Sequence, residues 1–541
     1  MPGPFNRLIA RGTRYLAAFK SEVPQRQFLA PRPRANLPIA ISISITVLAV
    51  IVVEVLYVWF ISVGYWRDWP PTSFYYDMLA EAFQQGQSHL LIEPDPRLAE
   101  LADPYSQNAR EGIPFLTDAS YFNGEYYMYW GPAPAAILAG LKLMGTGTVG
   151  DEVIVFVAAN AVFLFSILIL LHMWSRYSAH LRNWVLLPAL LVMGTVHPIL
   201  WIINRPAIQE AAIASGQAFL MAGLYFALPL FENAKVSLWR LFMAGSMWSL
   251  ALSSRTVLAG AIGFFVAASV LFLVRLSRRP GVHRGIRPGL AGLLMPLIAT
   301  GLLLGLYNYD RFGSPLELGY RYHLGGRGDY SQGLHVAFRP MFLIPNVYNY
   351  LARPVSTLTV FPFVKPIWGR DTLSPLPVEL PEPYYAEQVT GALIAAPFLI
   401  YLAYLVRWLA CSNQLPVGTG GERLADSAQS LAARGFRQVS SIILLGACAA
   451  AAPIGLFAIV AARYMLDAIP LFAIASIVGS WIALSGNLQP RSARQLRSML
   501  YLATSSLSVV LGILLAVTGF EARFEHLNPI LFDHITRFFA W

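Results

Sequence analysis

PIAISISITVLAVIVVEVLYVWFISV, residues 38–63, decides the fold: it carries a single charged side chain, Glu54. A bilayer core about 30 Å thick takes roughly 20 apolar helical residues, so this run is long enough to span. Before it stand Arg7, Arg11, Arg14, Lys20, Arg26, Arg32 and Arg34 against one acid, Glu22. After it, residues 65–131 hold ten acids and only Arg67, Arg97 and Arg110 as cations. Lys and Arg collect on the cytoplasmic flanks of spans, which puts the N-terminus inside and the long acidic loop outside. The basic segment is too long for a signal peptide and no small-residue cleavage site follows, so the run is expected to stay as an anchor.

The rest of the chain extends this pattern. Of 541 residues, 56% are hydrophobic and 13% charged, about half the charge of an ordinary globular domain. A soluble enzyme, a disordered chain and a secreted disulfide scaffold are excluded. Cys411 and Cys448 show no metal-ligand spacing. The net charge of +10 lies in particular loops rather than along a nucleic-acid-binding stripe, so no nucleic-acid partner is expected. Further spans are read at 150–173, 184–203, 208–231, 238–253, 256–275, 289–308, 389–408, 439–461, 467–486 and 499–519. The run 132–144 opens on Gly131-Pro132-Ala133-Pro134, contains Lys142 and is too short to cross, so it reads as a helix in the outer interface. Basic clusters at Arg176/Arg182, Arg275/Arg278/Arg279/Arg284/Arg287, Arg423/Arg434/Arg437 and Arg491/Arg494/Arg497 then fall inside. The expectation is an all-α polytopic membrane protein of about 11 transmembrane helices, N-terminus cytoplasmic and C-terminus outside. Its parts are a basic segment 1–37, a core 38–308 with the outer loop 64–149, a second outer loop 309–388, and a C-terminal bundle 389–541 with a cytoplasmic linker 409–438. Juxtamembrane helices are expected in both loops. No internal repeat suggests a two-fold transporter design.

Groups able to do chemistry concentrate outside. Phe74, Met78, Leu79, Ala82 and Phe83 recur at helical spacing, with Asp77 and Glu81 one turn apart. Asp77 can serve as a general base at a membrane-facing cleft, or belong to a solvated helix face. Asp118 precedes Tyr121-Phe122-Asn123-Gly124-Glu125-Tyr126-Tyr127-Met128-Tyr129-Trp130, where Asn-Gly between aromatic flanks signals a hairpin. Rings such as Tyr127 and Tyr129 suit both the headgroup interface and stacking on sugars. Arg205, Arg255, Arg321 and Arg463 lie at outer span ends, where Arg is uncommon. Arg205 has Glu210 nearby and Arg463 has Asp467, yet four such forks on one face favour an anionic ligand. Glu210 and Tyr464 stand beside them as substrate contacts. Glu54, within a span, is expected to be neutral or paired to a neighbouring helix and is left out of the site. The His residues are scattered and no pair has metal-ligand spacing.

Asp77-Met-Leu-Ala-Glu-Ala-Phe, the Asp118–Pro132 stretch, Ser254-Arg255-Thr256, Tyr307-Asn-Tyr-Asp-Arg-Phe-Gly-Ser-Pro and Arg463-Tyr464 together resemble the GT-C superfamily of integral-membrane glycosyltransferases. The likeness is nearest to the bacterial galacturonosyltransferases, protein O-mannosyltransferases and aminoarabinose transferases. It implies a polyprenyl-phosphate sugar donor and a glycan, lipid or protein acceptor at the outer face of a bacterial inner membrane. It also implies inversion, a first-loop Asp as base, and basic groups on the lipid phosphate. The chain departs from the commonest pattern in lacking an Asp-Glu or Asp-Asp pair in the first loop, so Asp77 and Asp118 both stand, with Asp77 preferred for coming first after the opening span. One positioned carboxylate suffices to take a hydroxyl proton, and cationic donors suit a departing phosphate. No nucleotide-binding loop is present. No cofactor is expected to be required, and the loop acids are not clustered as a divalent-cation cage would need. A flippase would instead line a midplane path with charge, and a non-catalytic assembly subunit would not depend on either Asp.

Overall fold

Proline and charge set where the apolar runs stop being helix. The computed structural model describes residues 37–178, 181–232, 237–277, 286–325, 337–368, 384–411, 425–485 and 491–540. The basic segment before residue 37, Arg278, Arg279, Arg284 and Arg423, much of the linker 409–438, and parts of the loop 309–388 lie outside the described residues.

The chain begins with α1 (Leu37–Ile61) and α2 (Tyr75–Gln84). A hairpin of β1 (Ser120–Phe122) and β2 (Glu125–Tyr127) follows, then α3 (Ala133–Lys142) and α4 (Asp151–Met173). Next come α5 (Leu186–Thr195), α6 (Ile199–Asn204), α7 (Ile208–Phe231), α8 (Leu238–Ser254), α9 (Ala259–Ser277) and α10 (Ile286–Phe312). The last part holds α11 (Leu402–Cys411), α12 (Ala425–Leu456), α13 (Ile469–Leu484), α14 (Arg491–Thr518) and α15 (Pro529–Phe539).

Among the described residues, seven helices are long and apolar enough to cross a membrane, which makes this a multi-pass membrane protein. They coincide with seven of the expected spans. The other four are shorter or broken. The run 184–203 divides into α5 and α6 at Val196-His197-Pro198, and 389–408 breaks at Ala396-Pro397 before α11. Proline lacks the N–H for the helix ladder and disfavours helix in the residue before it. The 238–253 and 467–486 runs are helices of 17 and 16 residues. The run 132–144 forms the ten-residue α3, about 15 Å long and too short to cross. Glu54 of α1 faces Asn160 of α4.

The core centres on α7, buried along almost its whole length and packed against α4, α8 and α9. Helix ends alternate along the chain. The face that carries the first loop therefore collects the C-terminal ends of α6, α8, α10 and α12 and the N-terminal ends of α7, α9 and α13. The C-terminal segment returns to that face: Asn528 donates to the Val63 carbonyl at 2.8 Å, and Arg523 donates to the carbonyls of Asn204 and Pro70.

Candidate functional site

In the first loop, Asp151 at the start of α4 accepts hydrogen bonds from the Tyr75 and Tyr76 backbone N–H groups, satisfying orphan donors at the N-terminus of α2. That helix presents Asp77 inward, at 3% exposure, rather than toward solvent or a cleft. Asp77 pairs with Lys142 of α3 at 2.8 Å and accepts from the Val149 backbone N–H at 2.9 Å. Lys142 also reaches Glu81 at 3.1 Å. The carboxylate is thus a tie between α2 and the short helix α3, on the face where a fully apolar stripe would have put a hydrophobe.

The hairpin is formed as the Asn123-Gly124 signal requires, with both residues at positive φ, 51° and 84°, and Tyr121 opposite Tyr126. Asp118 precedes it in the left-handed region, φ 57°. This turn frees its side chain from the strand and aims it across the loop face. The following strand is stitched to a distant segment: the Leu324 N–H donates to the Ala119 carbonyl and the Ser120 hydroxyl to the Gly319 carbonyl, at 2.9 and 2.8 Å. These bonds bring His323 beside Asp118, Nε2 to Oδ1 3.6 Å, a contact longer than a hydrogen bond. Gln209, on the first turn of α7, donates to the other carboxylate oxygen at 2.5 Å. Burial pushes the Asp118 carboxyl up, but the neighbouring His323 and the guanidiniums of Arg463 and Arg205 outweigh it and hold it below the usual carboxylate value. The group keeps 34% of its side chain exposed, so it is ionised and reachable.

Asp118 opens on a cavity of about 470 Å³ lined also by Tyr129, Trp130, Arg205, Gln209, Arg255, His323, Glu387, Arg463 and Tyr464. Its apolar wall comes from Val257, Pro453, Ile454 and Phe457. Two glycines let Arg255 reach the cavity. A Cβ on Gly131 would lie 2.1 Å from the Ser253 carbonyl oxygen, and one on Gly216 would lie 2.6 Å from the Arg255 Cβ.

Each of the three arginines is oriented by an acid. Arg205 donates to Glu210 at 2.7 Å. Arg255 pairs with Asp467 at 3.0 Å, so Asp467 serves Arg255 rather than its sequence neighbour Arg463. Arg463 makes a fork on Glu387 at 2.6 and 2.8 Å. The Tyr464 ring sits 5.2 and 5.1 Å from the Arg255 and Arg463 guanidinium carbons, within cation–π range. With three guanidiniums matched by three carboxylates, Asp118 is, among the described residues lining the cavity, the carboxylate held by no guanidinium. The Tyr129 ring meets His323 edge-on at 4.6 Å. Burial, and then the charge of Asp118, hold its hydroxyl well above the usual phenol value, so it remains a donor.

Not every residue picked out from the sequence comes here. Arg321 is 48% exposed and pairs with Glu317, one turn away, at 3.0 Å. Tyr127 packs between His89 and Phe312. Neither they nor Asp77 line the cavity, and Glu210 stands behind it on Arg205. Gln209, His323 and Glu387 were missed. Gln209 adjoins Glu210 at the mouth of a span, and His323 follows the Tyr320-Arg321-Tyr322 run of the segment after α10, which were available signals. Glu387 had none beyond two preceding tyrosines. Among the described residues no group of three or more His, Cys, Asp or Glu is placed to hold a metal ion.

No family model and no curated protein matches this sequence. Among solved structures, similarity of fold extends over most of the length of this chain. One is ArnT from Cupriavidus metallidurans bound to undecaprenyl phosphate, with TM-score 0.42 and 10% identity over 91% of this chain and 77% of that one. Another is the Archaeoglobus fulgidus oligosaccharyltransferase in the apo form, with TM-score 0.39 and 12% identity over 88% of this chain and 56% of that one. The same enzyme tethered to an acceptor peptide gives TM-score 0.41 and 13% identity, over 87% and 55%. This chain spans just over half the length of the archaeal enzyme, 55–56%.

Proposed function

We propose that the protein is an inverting membrane glycosyltransferase that moves a sugar from a polyprenyl-phosphate donor to a hydroxyl acceptor at the outer face of a bacterial inner membrane. The acceptor class is a lipid-linked glycan, an envelope polysaccharide or a protein. The observation that carries this reading is the convergence, in one cavity with an apolar wall, of Asp118 with Arg205, Arg255 and Arg463 from three distant parts of the chain. In this reading Asp118, not Asp77, is the base. It takes the acceptor's hydroxyl proton as the oxygen attacks the anomeric carbon, and the bond from that carbon to the phosphate oxygen breaks. The electron pair leaves with the lipid phosphate, where preorganised guanidiniums stabilise the developing charge. Each guanidinium carries five N–H donors, so pairing with one acid leaves donors for a phosphate. Tyr129 and Tyr464 supply ring faces and hydroxyls for the sugar. No cofactor is assigned a step.

The test is a transfer assay on full-length protein in nanodiscs with a panel of short-chain polyprenyl-phosphate sugars, following release of polyprenyl phosphate with and without a chelator. Turnover lost in Asp118→Asn but kept in Asp77→Asn supports the assignment. Turnover kept in Asp118→Asn moves the base elsewhere. No turnover of any donor, with saturable lipid-phosphate binding, favours a flippase or an assembly subunit.

A further inference from the structure

The face opposite the Asp118 cavity carries a second depression, of about 700 Å³, that the proposed reaction does not use. Arg182 and Trp184 border it from the segment entering α5, Arg491, Arg494, Gln495, Arg497 and Ser498 from the start of α14. On α14, Arg491, Arg494 and Ser498 recur at three- and four-residue intervals, so they share one side of the helix. Arg497 donates to the Ala483 carbonyl at 2.9 Å, covering an orphan acceptor at the C-terminal end of α13. Leu181, Val185, Leu484, Met499 and Leu502 make the walls apolar.

Charge separates this depression from the Asp118 cavity. There every arginine is matched to an acid. Here four guanidiniums line one depression, no Asp or Glu is among its described lining residues, and none of the four has a recorded ion pair among the described residues. A cluster that served only to orient the chain would need positive charge near the span ends, but no shared concavity. Depth fits too. From Arg497 to Thr518, at the end near the first loop, α14 rises about 31 Å at 1.5 Å per residue, close to the thickness of a bilayer core. The arginines therefore stand at headgroup level, with exposed Met499, Leu500 and Leu502 at the depth of the adjoining acyl chains.

We propose that this depression holds the phosphate headgroup of an anionic phospholipid from the leaflet opposite the Asp118 cavity. The shared chemistry is a phosphate ester met by guanidinium forks. The apolar walls and the exposed apolar residues below favour a lipid over a soluble phosphate.

Native mass spectrometry of delipidated full-length protein, titrated with phosphatidylglycerol, with phosphatidylcholine of the same chains, and with inorganic phosphate, tests this. Phosphatidylglycerol is expected to be retained well above phosphatidylcholine. The double variant Arg182→Gln/Arg494→Gln, which spares the Ala483 contact, is expected to lower that retention about thirtyfold. Arg275→Gln/Arg287→Gln removes the same charge from two other segments on that face and is expected to leave retention unchanged. Equal loss in both doubles, or equal retention of both lipids by the wild type, would overturn the site. Inorganic phosphate binding as tightly as phosphatidylglycerol would overturn the lipid assignment. A wild-type melting curve for the double variant in detergent separates lost binding from lost folding.

Discussion

Asp77 and Asp118 belong to one loop and differ in almost everything that decides what a carboxylate does. Asp77 sits on the inner side of a helix, 3% exposed, facing Lys142 at 2.8 Å. Asp118 sits in a strained turn before a hairpin, one third exposed, beside a glutamine amide and an imidazole. An ammonium at contact distance holds its carboxylate's lone pairs, and what remains is a structural tie. Asp118 gives one oxygen to the neutral Gln209 amide at 2.5 Å, and with the imidazole 3.6 Å from the other it keeps that oxygen for a proton. The lesson is that position in a loop does not tell whether a carboxylate is held by a cation or left open, and the identity of the cation nearest to it does.

The comparison can be broken most directly with Asp118→Asn, which preserves shape and removes the basic oxygen. Turnover should fall by about 10²–10⁴, with at most a small drop in the melting temperature in detergent; an unaltered rate would remove Asp118 from the chemistry. Asp77→Asn should do the reverse. It should cost about 2 kcal/mol of stability, less than the usual loss on breaking a buried pair because Glu81 still faces Lys142, with turnover within a few-fold. Asp77→Asn combined with Lys142→Met should recover part of that stability, and a double variant no more stable than the single would contradict the tie.

Arg463→Lys replaces the fork on Glu387 with a point charge. Its KM for the lipid donor should rise about tenfold with a smaller change in kcat. The acid limb of kcat/KM should lie below the ordinary aspartate value of 3.8, because the folded pKa of Asp118 is lowered. By the same sign, the stability Asp118 contributes is present above its unfolded pKa and lost as pH falls through the folded one. A limb above pH 5 would point to another base. Arg321→Ala should do least, within about twofold in rate and stability, since its exposed pair with Glu317 is worth little.

Much of the fold was legible because its cause is local. A run of apolar residues becomes a helix in a bilayer whatever its neighbours are, since no water is there to satisfy the backbone. Asn-Gly makes its turn from its own φ preferences, as residues 123 and 124 do. Pro198 and Pro397 lie where apolar runs counted as whole spans divide, and the span count overlooked them. The Arg205–Glu210 pair could be read from adjacent turns. Arg255–Asp467 and Arg463–Glu387 could not, because their partners are separated by 212 and 76 residues and proximity in sequence pointed Asp467 at Arg463.

The sequence by itself determined a multi-pass helical membrane protein, with its polar chemistry at span ends and in the loops between them. Hydropathy and helix-ending residues act over a few turns, and that range is written in the chain. Only the tertiary structure decided which first-loop carboxylate is tied down and which faces the cavity. It also decided which acid holds which arginine, and that His323 and Gln209 flank Asp118. Those choices depend on which helix ends meet at one face. The close packing of α7 against α4, α8 and α9 sets that meeting, and no short stretch of residues encodes it.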